Sequence, residues 1–524
     1  MIALALSFLY TNFYRAFGGA ALQKAERDTC PVRVPARPAR RIQMQLFRRR
    51  LGGDCSAHPP YIPGDLTTGP PGKTLFFFMI PILIGNIFQQ CYNLADSIIV
   101  GQFVGAGALA AVGGAGPIFY MGTIVSSGFS VGVAIVTGQF FGEGRRSEIK
   151  DILSTSVLFT VATSILISIL GVLFAPALLR FLNTPEDVFA DSVTYLTIIF
   201  VGFLFIFLAN IGGSLFNALG DSKTPLYCMA AGGLLNIVLN LWFVIGFGWG
   251  VFGVALATVI GQMFTCAIGF PLLMRRIARL GDGQIGLRHG FGRFRADLLG
   301  LIVKLGASSA LQGIVLSVSG LLIQGIINSF GSLYMAAYTS AQKIELFLTL
   351  PIYNLHNALS NYSAQNIGAG RLNRVKQGYR VSILWSMIFC AAMAVILFLF
   401  GGNLIGIFIK AESDGAVIQV GTQYLRMLCI AYFPMSFMFM SEGLLRGAGD
   451  VLAVSFITAG GMLFRMIAAY SFASLLGFYT VAVAYFFSYT SESILAYIRV
   501  RSGRWREKAV TGGASPVAEG NDAL

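Results

Sequence analysis

Charge is what this 524-residue sequence has least of: Asp, Glu, Lys and Arg together make up 11% of it, against about a quarter in soluble proteins. That figure excludes a soluble multidomain enzyme. It also excludes a disordered chain, which needs high charge and few apolar residues. Histidine is nearly absent, at three residues. The seven cysteines, at 30, 55, 91, 228, 266, 390 and 429, show no CxxC or zinc-ligand spacing, so neither a metal site nor a disulfide framework is expected. The chain has no Walker A lysine, which argues against ATP-driven work. The GxGxxG-like string at 248–253 lies in an apolar run without βαβ context. No nucleophile–base pair stands out either, so no enzyme, catalytic residue or organic cofactor is expected.

What is present is hydrophobic: 56% of residues are apolar and the mean hydropathy is +0.73. At roughly 20 apolar residues per span, the length allows about a dozen transmembrane helices. The apolar runs predict an all-α polytopic membrane protein of twelve spans, starting with 75–101 and ending with 478–499. The fourth is expected at 188–217, the fifth at 223–246 and the eighth at 333–366.

The basic residues sort by loop. Arg145, Arg146 and Lys150, then Lys223, then Arg275 to Arg295, then Arg371, Arg374, Lys376 and Arg380, and finally Arg446 fall in every second break. The intervening breaks hold only Arg180 and Lys410. The positive-inside rule then places both termini in the cytoplasm of a multi-pass protein of the cytoplasmic membrane. The net charge of +14 is thus a matter of topology, and no nucleic-acid partner is expected. Membrane lipid is the surrounding partner, and a monomer is expected.

Residues 1–73 stand apart. Met1–Tyr10 is too short to span, and an Arg- and Pro-rich stretch follows. A disordered basic cytoplasmic leader, attracted by anionic lipid, is expected; the alternative is a mis-set start, with Met44 the natural beginning. The remaining boundaries are an N-terminal lobe at 74–276, a cytoplasmic inter-lobe loop at 277–297, a C-terminal lobe at 298–500 and a cytoplasmic tail at 501–524.

The lobes follow from an internal repeat. GQFFGEGRRSEIK (138–150) is similar to AQNIGAGRLNRVK (364–376), with Gln139/Gln365, Gly142/Gly368, Gly144/Gly370, Arg145/Arg371 and Lys150/Lys376 all 226 apart. Two six-helix halves that enter from the same side make parallel pseudo-symmetric repeats, the plan of transporters that rock two lobes around a cavity.

An acid inside the membrane costs about 2.5–3.5 kcal/mol and is functional or paired. Asp96 ends a stripe of Asn86, Gln89, Asn93 and Asp96 on one helical face; the plainer reading is a helix end at the outer interface. Glu345 shares a face with Tyr338, Gln342 and, three turns on, His356. Its plainer reading is an ion pair with Lys304, Arg426 or Arg465, and that of His356 is a core hydrogen bond. Asn236 and Asn240 either line a cavity or join helices, and the same choice applies to Gln312, Gln324 and Asn328.

The stretch PILIGNIFQQCYNLADSIIVGQFVGAGALAAVG (81–113) resembles the first-helix signature of the multidrug and toxic compound extrusion family. LNIVLNLWFVIGFGWGVFGVALATVIGQ (235–262) and AYTSAQKIELFLTLPIYNLHNALSNYSAQNIGAGR (337–371) are similar to it too. The resemblance implies export of small organic cations in exchange for protons or sodium. It implies that Asp96, with Asn93, Asn236 and Asn240, couples the ion. Glu345, Gln89, Tyr92, Tyr338, Gln342, His356 and Gln324 are the candidates for substrate contact. At the 226 offset Asp96 aligns with Leu322 and Glu345 with Phe119, so each lobe carries a different acid. A flippase for lipid-linked saccharides of the same two-lobe plan is the alternative.

Overall fold

The computed structural model describes residues 65–280, 291–408 and 411–511. Most of the leader, Arg288, Lys410 and the end of the tail therefore lie outside the described residues. Those described are helical, with no strand among them. In chain order the spans are α1 (Pro71–Ile99), α2 (Ala106–Glu143), α3 (Arg146–Phe181), α4 (Glu186–Val201 with Phe203–Ala218), α5 (Lys223–Leu241) and α6 (Gly250–Leu280). The second half holds α7 (Ala296–Ser329), α8 (Ser332–Gly368), α9 (Leu372–Gly406), α10 (Ala411–Gly447), α11 (Val451–Ser471) and α12 (Thr480–Arg501).

Among the described residues, ten helices are long and apolar enough to cross a membrane, or eleven if the bent α4 is one span. The remaining span, α8, has the length, at 37 residues, but carries Gln342, Lys343, Glu345, Asn354 and His356 along it. A helix that polar belongs against protein. The fourth span, expected at 188–217, is bent: its halves meet at 50°. The break falls at Gly202, where a Cβ would lie 2.3 Å from the Val259 side chain of α6, so only glycine allows α6 that close.

Packing repeats with the numbering. In the first half α1 lies on α5, α5 on α6, α6 on α4, and α4 on both α3 and α2. Adding six to each label gives the second half: α7 on α11, α11 on α12, α12 on α10, and α10 on both α9 and α8. The halves meet through α2 against α7 and its counterpart, α8 against α1, and through the α2–α8 contact at the centre. The glycines that end helices repeat as well: Gly105 and Gly331 have φ of 120° and 97°, and Gly144 and Gly370 have 83° and 70°. Positive φ there is a glycine conformation that stops a helix cleanly.

An ion pair recurs at the same place in each half. Asp221, before α5, meets Arg276 of α6 at 2.9 Å, and Asp450, before α11, meets Arg499 of α12 at 2.6 Å. Asp450 is 4% exposed, and a hydrogen bond to a charged group is worth about 1.5–3 kcal/mol. Asp450→Ala is therefore expected to destabilise the protein by about 2 kcal/mol, seen as a lower melting temperature in detergent, and Arg499→Lys by less. An unchanged melting temperature in Asp450→Ala would contradict this.

The folded chain extends past both expected boundaries. Leu66 and Thr67 are buried, and Arg371 and Arg374 donate to the carbonyls of Leu66, Thr67, Thr68 and Gly69. Residues 65–73 are thus a docked segment rather than part of a free leader. At the other end Trp505 is fully buried and donates from Nε1 to the Val500 carbonyl at 2.9 Å.

Candidate functional site

Asp96 lies on the last turn of α1, just before the chain widens into a π turn at Val100–Val104. Asn240 stands in the same relation to a second π turn, Trp242–Gly246, after α5. Such turns are rare and collect at functional sites. Asn240 is fully buried and donates from Nδ2 to Asp96 Oδ1 at 2.6 Å. Asn236, one turn earlier and 4% exposed, takes the amide orientation that satisfies both ends. It donates to the two Asp96 oxygens at 3.0 and 3.2 Å and accepts from the Thr258 backbone nitrogen of α6 at 3.2 Å. The Asn240 Oδ1 is buried without a partner. Among the described residues no Lys or Arg pairs with Asp96. The carboxylate is therefore half-buried, amide-bound and open to a cation.

The rest of the polar stripe does not join it. Asn93 is exposed, so the expected contribution of its side chain to the Asp96 cluster is not seen. Asn86 instead reaches the other lobe, donating to Asn354 Oδ1 of α8 at 2.6 Å. Tyr92 packs on α5 beside Gly233, and Gln89 lies next to Tyr92.

The second lobe gathers its acids elsewhere. Arg465 of α11 donates to Ser319 and Ser488, each at 3.0 Å, lies 3.9 Å from Glu492, and stacks over Tyr485 and Tyr489. Glu345 makes no ion pair with Arg465 or any other described cation, so the ion pair of its plainer reading is not formed. Gln342 donates to the Tyr338 hydroxyl at 2.8 Å, which meets that of Tyr485 at 3.2 Å. His356 is 1% exposed, with Nδ1 2.7 Å from the Phe439 carbonyl, the core hydrogen bond of its plainer reading. Gln324 donates to Asn328 one turn along its own helix at 2.8 Å.

Between the lobes, bounded by α1, α2, α4, α8 and α10, lies a cavity of about 340 Å³. None of the expected substrate-contact residues lines it; five asparagines, four serines, Tyr353 and Arg446 do. The lobes meet tightly beside it. Gln139 and Gln365 are fully buried and form equivalent bridges. Gln139 donates to the Gly447 carbonyl at 2.9 Å and accepts from the Val510 nitrogen at 2.7 Å. Gln365 donates to the Ala218 carbonyl at 2.8 Å and accepts from the Leu66 nitrogen at 2.9 Å. The repeat flagged both glutamines in the sequence, but not what they hold together.

The same architecture is found twice by one family description. The MatE model matches residues 81–242 and again residues 309–471, one match in each half. The chain belongs to the MatE family. The first match spans Asp96, Asn236 and Asn240, and the second spans Glu345 and Arg465. MatE relatives include YpnP of Bacillus subtilis, a probable multidrug resistance protein. It is 28% identical over 447 residues, which is 84% of this chain and 97% of that protein. A FAD transporter of Shewanella oneidensis is 24% identical over 71% of this chain and 81% of its own length. A crystal structure of MATE in the bent conformation shares the fold, with a TM-score of 0.78 at 23% identity over 86% of this chain and all of that one. As a MatE member the chain is a multi-pass membrane transporter of the multidrug efflux family.

Proposed function

We propose that the protein exports small organic cations across the cytoplasmic membrane by exchange with protons or sodium. The observation that carries this reading is the Asp96 carboxylate, amide-bound within a span and without a cationic partner among the described residues. In one orientation of the lobes the ionised acid attracts a cationic group of the cargo. In the other, a proton or Na⁺ neutralises it and the cargo leaves. One cation replaces another, so the ion's concentration ratio drives the cycle, about 1.4 kcal/mol for each tenfold. The basic loops support an orientation with both termini in the cytoplasm.

The test is efflux of a fluorescent cationic dye from vesicles under an imposed proton or sodium gradient. Dye movement that follows one of the two gradients is expected. Dye that ignores both gradients would overturn the reading, and flipping of a lipid-linked saccharide by the same vesicles would put the flippase in its place.

A further inference from the structure

We infer that the inter-lobe cavity is a binding site for polar, hydroxyl-bearing solutes that carry an anionic group, a cargo class distinct from the cations drawn to Asp96. The two places are separate: Asp96 lies ten residues beyond Asn86 on α1, about 15 Å along the axis. The cavity's chemistry is also opposite. A lipophilic cation needs an apolar or aromatic wall and a negative charge, whereas eleven of the fourteen residues here are Asn, Ser, Tyr or Arg and none is acidic.

The cavity's polar atoms are not used up by the protein. Ser130 from α2, Asn217 from α4, Asn361 from α8 and Arg446 from α10 line it, and each has one buried polar atom without a hydrogen-bond partner: Oγ, Oδ1, Oδ1 and Nε. Buried polar atoms are almost always satisfied, so four orphans from four helices around one space mark a place that a polar molecule completes. Arg446 supplies the charge. Its guanidinium donates to Gln312 Oε1, and it makes no ion pair with a described residue. Glu442, one turn earlier on α10, is not among the lining residues; it accepts from Gln312 and Thr458, and so shares Gln312 with Arg446. His356, the other titratable neighbour, gives its Nδ1 to a backbone carbonyl. A phosphate or carboxylate near Arg446, with hydroxyls toward the asparagines and serines, complements the residues that line the cavity.

Equilibrium binding to the purified full chain in detergent tests this without any gradient, so it stands or falls apart from ion coupling. The probes are adenosine 5′-monophosphate, adenosine and ethidium. Adenosine monophosphate is expected to bind at least tenfold more tightly than adenosine, with no displacement by ethidium. Arg446→Gln should remove that tenfold preference and Arg446→Lys should restore part of it. Because Arg446 also holds Gln312, a second variant is needed: Asn361→Leu, which fills the cavity and keeps the charge, should weaken both adenosine ligands alike. Equal binding of adenosine and its monophosphate, binding of neither, or displacement of the nucleotide by ethidium would overturn the inference.

Discussion

Gly142→Ala is expected to stop export while the protein still reaches the membrane. A Cβ at that position would lie 2.0 Å from the Gln365 carbonyl oxygen, and one at Gly368 would lie 2.0 Å from that of Gln139. Both obstacles are backbone atoms of the opposite lobe, so no side chain can rotate aside; the lobes themselves must part. Parting them also breaks the two glutamine bridges, whose glutamines are fully buried. The clash exists only when this end is closed, so the variant folds and samples open states but cannot complete the cycle. Gradient-driven efflux should fall at least tenfold at unchanged membrane content, and Gly368→Ala should match it because the two positions are related by the repeat. Gly144→Ala, where a Cβ meets nothing, strains only a left-handed turn and should cost far less. Equal efflux in all three variants would show that this closure is not part of the cycle.

Asp96→Asn is expected to uncouple the transporter. The substitution keeps size and leaves an oxygen to accept from Asn240, so the local structure survives while the exchangeable charge is lost. One cation is exchanged for another, so no net charge crosses, and an imposed hundredfold proton or sodium ratio, worth about 2.7 kcal/mol at 1.36 kcal/mol per tenfold, holds a dye ratio of up to about a hundredfold. Asp96→Asn should lose that ratio. Asn240→Ala, which leaves Asp96 ionisable but removes its shortest hydrogen bond, should lower efflux by less and keep the gradient dependence. A dye ratio unchanged in Asp96→Asn would take the residue out of the mechanism.

Much of this fold was readable because a bilayer leaves the backbone few choices. Spans must be helices, and twenty apolar residues announce themselves whatever packs beside them. The repeat was readable for a related reason: Gln139, Gln365 and their glycines are constrained by one contact used twice. What hydropathy does not encode is where helices touch. The bend at Gly202 arises from Val259, more than fifty residues away, and the docking of residues 65–70 depends on Arg371 and Arg374, which read as ordinary loop charges.

The site divides in the same way. Asp96 with Asn236 and Asn240 stood out as polar residues in apolar runs, and i, i+4 spacing put the two asparagines on one face. Asn93 shares the stripe but not the cluster. At 3.6 residues per turn the four stripe residues fan across about 80°, and only Asn86, nearest the inter-lobe contact, reaches the other lobe. The cavity was hidden for a different reason. Its serines and asparagines are unremarkable one at a time, and they come together only through five helices. Arg446 was counted among the loop charges although it ends inside the protein.

Competition between cargo and coupling ion for one carboxylate is read out as ion release on dye binding, with purified protein in weakly buffered detergent and with Na⁺ followed alongside pH. The wild-type protein should release one proton or one sodium ion per cationic dye bound, and Asp96→Asn should bind dye weakly and release none. Release that persists in Asp96→Asn, or wild-type dye binding with no release of either ion, would contradict the account.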